Sequence, residues 1–101
     1  MLVLEPVKHL FKLGQVCLTA AAEDLRLHEG LDVSKLLSRH VSGDWGDLCE
    51  DDKNENTNAI QDGNRIFSSY IVKDQKIWII TEWDRSLTTV LLPSDYRLAL
   101  T

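Results

Sequence analysis

Long apolar runs are missing from this sequence. The stretches at residues 77–80 and 90–92 stop far short of the roughly 20 residues that a bilayer span requires, so no membrane helix is expected. Residues 1–4, followed by Glu5 and Pro6, carry neither a basic lead nor an extended apolar segment with a small-residue cleavage site. They do not read as a secretion signal, and a cytoplasmic location is expected. Cysteine is scarce: Cys17 and Cys49 are too few for a disulfide framework and sit in no metal-ligand spacing, which predicts two free thiols. Positive charge is outnumbered, with 11 Lys and Arg against 16 Asp and Glu and a net charge of −5. Such a chain repels a phosphate backbone unless its cations gather on one face. No G-x-x-x-x-G-K-[ST], G-x-G-x-x-G, H-E-x-x-H or G-x-S-x-G occurs, so no nucleotide cofactor and no catalytic metal are expected.

What is present points to one α+β domain over residues 1–101, the usual size for a chain with a single core. Residues 1–10 are expected to fray, residues 19–62 to be helical and residues 65–92 to form an antiparallel meander. The alternation over 11–18 suits a short first strand ending at Thr19. Thr19 reads as the N-cap of a helix that runs to His28 and stops at Gly30. Asp32 can cap a second helix in which Val33, Leu36, Leu37 and His40 or Val41 share a stripe, closed by Gly43. Gly43-Asp44-Trp45-Gly46-Asp47 suits an ordered turn anchored by its indole. An exposed, acidic third helix is expected from Cys49 to Asp62, with Gly63 as its stop. Three β-rich runs follow, over 65–72, 76–83 and 86–92, at hairpin spacings. The middle one, Ile77-Trp78-Ile79-Ile80, is apolar on both sides of the pleat, as a central strand would be, with Trp78 in the core. Helices should cover one of its faces, and a partner or the chain termini the other. Pro93 should end the last strand ahead of a short apolar tail at 98–100.

Several runs resemble a family of small uncharacterised bacterial proteins, labelled plasmid-related, that accompany plasmids and integrative elements. They are Leu13-Gly14-Gln15-Val16, Arg39-His40-Val41-Ser42-Gly43-Asp44-Trp45-Gly46-Asp47-Leu48, Ser69-Tyr70, and Trp78-Ile79-Ile80-Thr81-Glu82-Trp83-Asp84-Arg85-Ser86-Leu87-Thr88-Thr89-Val90-Leu91-Leu92-Pro93. The resemblance spans about residues 11–96 and implies an accessory role in a mobile element, with no known activity attached. More distantly, helices followed by a meander, a helical histidine and a T-T-x-L-L-P strand resemble the barnase/EndoU/colicin/RelE-like nucleases. That second likeness is at the level of fold, which does not specify function.

The nuclease likeness implies metal-independent RNA cleavage with Glu82 as base, His40 as acid and Arg85 as the cation for the phosphorane. Against it stands an ordinary structural reading. Glu82 and Arg85 flank a two-residue turn where an ion pair across the hairpin is commonplace, and His40 can cap its own helix. Thr81, Thr88 and Thr89 offer hydroxyls for phosphate oxygens, although threonine equally suits an exposed strand face. Trp45 and Trp83 offer stacking surfaces; with Asp44 and Ser69 they complete the candidate binding set. The acidic residues between Asp44 and Glu55 lack the ligand rhythm of a calcium loop and read as a solvated helix face. The residues thus favour a non-catalytic binding or regulatory module, acting on another protein or as a homodimer, with a ribonuclease as the alternative and RNA as its substrate.

Overall fold

The computed structural model describes residues 8–99. Among these residues there are four helices and a four-stranded mixed sheet, an α+β arrangement. Of the expected fraying at 1–10, the first seven positions lie outside the described residues, as does Leu100 of the apolar tail. Leu10 is tied down, its amide donating to the Val41 carbonyl at 2.9 Å.

The helices begin and end where side-chain chemistry dictates. In α1 (Ala20–His28) the Thr19 hydroxyl accepts from the Ala22 amide at 3.3 Å, and in α2 (Val33–Val41) the Asp32 carboxylate accepts from the Lys35 amide at 3.1 Å. Each satisfies one of the amide donors that a helix leaves free at its start. Helix α3 (Glu50–Asp62) has no side-chain cap at Cys49; its first turn instead carries Glu50, Asp51 and Asp52, placed favourably at the positive end of the helix dipole. Gly63 closes α3 in the left-handed conformation, as its position suggests.

The strands are β1 (Gln15–Leu18), β2 (Ile66–Val72), β3 (Gln75–Thr81) and β4 (Leu87–Leu91), in the order β1-β4-β3-β2. β2, β3 and β4 form the expected antiparallel meander; β1 adds to it in parallel, beside β4. β1 is shorter than the alternation over 11–18 predicts. Gly14 has φ of 66°, and a Cβ there would overlap the Arg85 carbonyl, so the chain bends tightly against the β3–β4 turn before pairing. Phe11 is thereby turned toward the protein interior, beside Trp45.

β3 is central, as its composition predicts. Ile77 and Ile79 are fully buried on the face that packs against α1 and α2, beside Tyr70, Val90, Ala22, Leu31 and Leu36. Burying an isoleucine there contributes about 1.5–3 kcal/mol. Trp78 points to the other face and is half-buried rather than part of the core. Its ring meets Phe67 edge-on at 4.9 Å and Tyr96 at 5.9 Å. Tyr96 belongs to α4 (Pro93–Ala99), a helix the sequence reading took for a tail, and α4 supplies part of the second cover. Asp95 secures the start of α4, accepting from the Leu92 amide at 3.0 Å and from the Thr19 hydroxyl at 2.7 Å.

The outer edge of β2 is closed by two different devices. The Trp45–Asp47 turn runs alongside it: Ser69 donates its amide to the Trp45 carbonyl at 3.2 Å and accepts from the Asp47 amide at 2.6 Å. Gly46 lies so close that a Cβ would overlap the Ser69 carbonyl oxygen. Two residues back along β2, beyond the turn's reach, the Asn56 side chain of α3 takes over. Its amide accepts from the Phe67 N–H at 3.1 Å and donates to the Phe67 carbonyl at 2.6 Å, standing in for a neighbouring strand.

Candidate functional site

His40 lies in the last turn of α2, fully buried against the sheet. Its ring contacts Phe11 edge-on at 5.2 Å and Trp45 at 6.0 Å. Removed from water by these groups, the imidazole is pushed down to about 3 and is neutral at physiological pH. Both ring nitrogens are engaged, Nδ1 with the Ser68 hydroxyl at 2.5 Å and Nε2 with the Thr81 hydroxyl at 2.9 Å. Thr81 in turn meets Thr88 at 2.8 Å, and Thr88 donates to the Leu13 carbonyl at 2.6 Å.

The end of this chain sets its direction. A carbonyl oxygen only accepts, so the Thr88 proton points to Leu13, and Thr88 must accept from Thr81. The Thr81 proton is thereby committed, and Thr81 accepts from His40 Nε2–H. The remaining nitrogen, Nδ1, has no proton and accepts from Ser68. The neutral tautomer of His40 thus follows from a backbone carbonyl 27 residues away in sequence. Every donor in the series has one acceptor, and among the described residues no buried side-chain polar atom lacks a partner.

The three residues expected to share a catalytic cleft are not gathered. Glu82 immediately follows Thr81, so the two side chains leave opposite faces of the strand. The Glu82 carboxylate meets Arg65 at 3.0 Å, and Arg65 also reaches toward the Tyr96 hydroxyl on the α4 side. The expected ion pair of Glu82 with Arg85 does not form. Arg85 has φ of 61°, and its guanidinium instead donates to four carbonyls: Asn64 at 2.7 Å, Ala59 at 2.8 Å, Glu82 at 3.0 Å and Trp83 at 3.3 Å. That is a fastening of the β3–β4 turn to the end of α3, and it leaves the guanidinium engaged with backbone rather than free for a phosphoryl group.

The candidate binding residues divide by burial. Thr81 and Thr88 are fully buried, with their hydroxyls in the chain just described; Trp45 and Ser69 are nearly so, and their backbone groups join the turn to β2. The reading of Thr81 and Thr88 as exposed hydroxyls is corrected on this ground: they face α2, and His40 fills the space in front of Thr81. Thr89 is half-buried on the second face, in register with Ile80. Asp44 is exposed but paired, its carboxylate 2.6 Å from Arg39 Nε; the guanidinium holds that carboxyl below its ordinary value. The Arg39 guanidinium also stacks 4.5 Å over Tyr70, whose hydroxyl donates to the Asp44 carbonyl at 2.7 Å. Burial pushes the Tyr70 phenol up to about 12. Trp83 is the exception, 66% exposed at the tip of the turn that Arg85 fastens.

Sequence reasoning overlooked Asn56, Ser68 and Arg65. The first two carried a readable signal. Asn56 lies on the stripe of Ala59 and Ile60, and Ser68 lies between Ile66 and Tyr70 on the inward side of β2. A polar residue inside an apolar stripe is one that must find a buried partner. Among the described residues no three His, Cys, Asp or Glu side chains gather as a metal-holding group, and no helix is long and apolar enough to cross a membrane. Compared with protein-family models, curated proteins and solved structures, the chain matches none.

Proposed function

We propose that this chain is a non-catalytic binding module, an accessory factor of the mobile elements whose proteins it resembles, and that it engages another protein through Trp83. The observation that carries this reading is the manner in which Trp83 is held. A large indole two-thirds exposed is uncommon in a small domain, and here its backbone is fastened by a single guanidinium to Ala59 and Asn64. A rigid, exposed tryptophan loses little conformational freedom when a partner covers it, and tryptophan is enriched among residues that dominate interface energetics. The carboxylates of Glu55 and Asp62 line a recess with Ala59 and Asn64, the residues to which the turn is fastened, and negative charge there favours fast association with a basic surface.

The test is co-purification from cells that carry the parent element, with the captured protein identified by mass spectrometry and its binding then measured by calorimetry. Trp83→Ala should weaken binding at least roughly tenfold. Leu27→Ala, at another exposed apolar position, should leave it unchanged. A partner held equally well by the Trp83→Ala protein would overturn the reading. So would RNA cleavage by the purified chain that His40→Gln abolishes.

A further inference from the structure

A second region of the surface has the character of a ligand site, and it lies away from Trp83. Between the end of α1 and the β2–β3 hairpin is a cavity of about 190 Å³ whose walls are Leu25, Leu31, Val72 and Ile77. Leu31 and Ile77 are core residues, so the cavity reaches from the surface to the hydrophobic interior. On the other side of the wall formed by Gly30, Leu31, Val72 and Lys73 is a wider recess of about 390 Å³, which adds Ile71, Lys35 and Arg39. Ile71 is 55% exposed.

Lys73 separates the two. Its ammonium reaches across to the Glu29 carbonyl at 3.1 Å, at the C-terminal end of α1. That carbonyl is a neutral acceptor, and the bond is exposed to solvent. Lys73 and Asp74 form the two-residue hairpin turn, both with positive φ, at 50° and 64°. Glycine and asparagine relax such a turn, whereas a lysine in its first position is held against its backbone preference. The charges at the rim are Lys35, Arg39 and Lys73 on one side and Glu29 and Asp32 on the other. Arg39 is paired with Asp44, while Asp32 accepts from the neutral Lys35 amide and keeps its charge. Two ammonium groups therefore face two carboxylates, and Lys73 is the cation among them that lines the apolar cavity, held there by a neutral carbonyl.

We infer that this groove binds a small amphipathic carboxylate. Its aliphatic tail lies against Leu25, Leu31, Val72 and Ile77, and its carboxylate takes the Lys73 ammonium from the Glu29 carbonyl. Apolar walls with a few placed polar groups are the usual make-up of small-ligand pockets. Exchanging a neutral acceptor for a charged one strengthens the lysine's hydrogen bond.

Octanoate is the probe, titrated into the full chain with backbone amide NMR as the readout and octanol as the uncharged control. Saturable shifts are expected at Leu25, Leu31, Val72 and Ile77, with octanoate bound roughly tenfold more tightly than octanol. Lys73→Met should remove that preference. Lys73→Gly, which relaxes the turn and so cannot act by unfolding the hairpin, should remove it too. A Trp83→Ala protein should bind octanoate as the parent does, which keeps this test apart from the protein-binding one. The inference is overturned by shifts that are absent or centred elsewhere. It is equally overturned by octanol binding as tightly as octanoate, or by either Lys73 variant keeping the preference.

Discussion

The buried His40 makes the stability of this fold depend on pH from about 6.5 downward, beginning above the range in which the carboxylates titrate. In the unfolded chain the imidazole takes a proton near 6.5, whereas in the folded protein it does so only at about 3, because burial penalises the charged ring. Between those values the unfolded state binds more protons than the native state, so acidification favours unfolding. The stability is fully present above 6.5, starts to fall as the pH drops through that value, and is lost by about 3. Each pH unit inside the window corresponds to about 1.4 kcal/mol. From pH 6.5 to 4.5 the linkage amounts to about 2 kcal/mol, a large fraction of the stability of a domain this size. Carboxylates held low in the folded state, such as Asp44 and Glu23, add their own losses from about pH 4.5 downward, in the lower part of the same window.

Urea unfolding at pH 6.5, 5.5 and 4.5, followed by circular dichroism, reads this directly. The parent chain should lose about 2 kcal/mol across the series, and His40→Gln, less stable at neutrality, should show a nearly flat profile. A flat profile for the parent, or an unchanged slope in His40→Gln, would show that His40 is accessible to protons in the native state and that the buried chain is misassigned.

Two further outcomes follow from the contacts that close the sheet. Asn56→Leu is close in shape but leaves the outward N–H and C=O of Phe67 unpaired. It should cost about 2–4 kcal/mol, and hydrogen exchange should speed up at the Phe67 amide far more than at Ile79; equal acceleration at both would place the loss elsewhere. Arg85→Lys keeps the charge but cannot reach four carbonyls from one planar fork. It should destabilise the fold by about 1–3 kcal/mol and raise the NMR-measured mobility of the Trp83 indole, whereas unchanged relaxation at Trp83 would mean the turn is rigid without its guanidinium.

Local signals made most of the architecture legible. Thr19, Asp32 and Gly63 mark helix ends because capping is decided within three or four residues, and the doubly apolar stretch at 77–80 marks a central strand because its two faces are both covered. Pro93 was ambiguous for an equally local reason, since a residue that stops a strand is also a favoured first residue of a helix, and α4 was missed. The candidate site was poorly legible because its character rests on distant contacts. His40 meets groups 28 and 41 positions along the chain, and Glu82 meets Arg65 across 17. Residue type suggests an acid, a base and a cation; only the fold shows that one is sealed from water and the other two are engaged, Glu82 with Arg65 and Arg85 with backbone carbonyls.

The same polar residues also explain how the sheet holds its alignment. Sliding β4 by two residues along β3 keeps every side chain on its proper face, so hydrophobic alternation alone does not forbid the slip. It would, however, carry Thr88 away from Thr81, with which it is now paired across the two strands. Thr88 would also lose the Leu13 carbonyl, leaving several buried polar atoms without partners at about 1–3 kcal/mol each. Sliding β2 against β3 would likewise separate Ser68 from the histidine that Thr81 still holds. An all-apolar set at these positions would bury well in either register, whereas this hydrogen-bonded chain is complete in only one, because a buried network that is half satisfied is worse than none. His40 thus couples α2, β2, β3, β4 and the segment before β1 in a single alignment, and it does so because it is neutral, sealed and bonded at both nitrogens, the opposite of what acid–base catalysis requires.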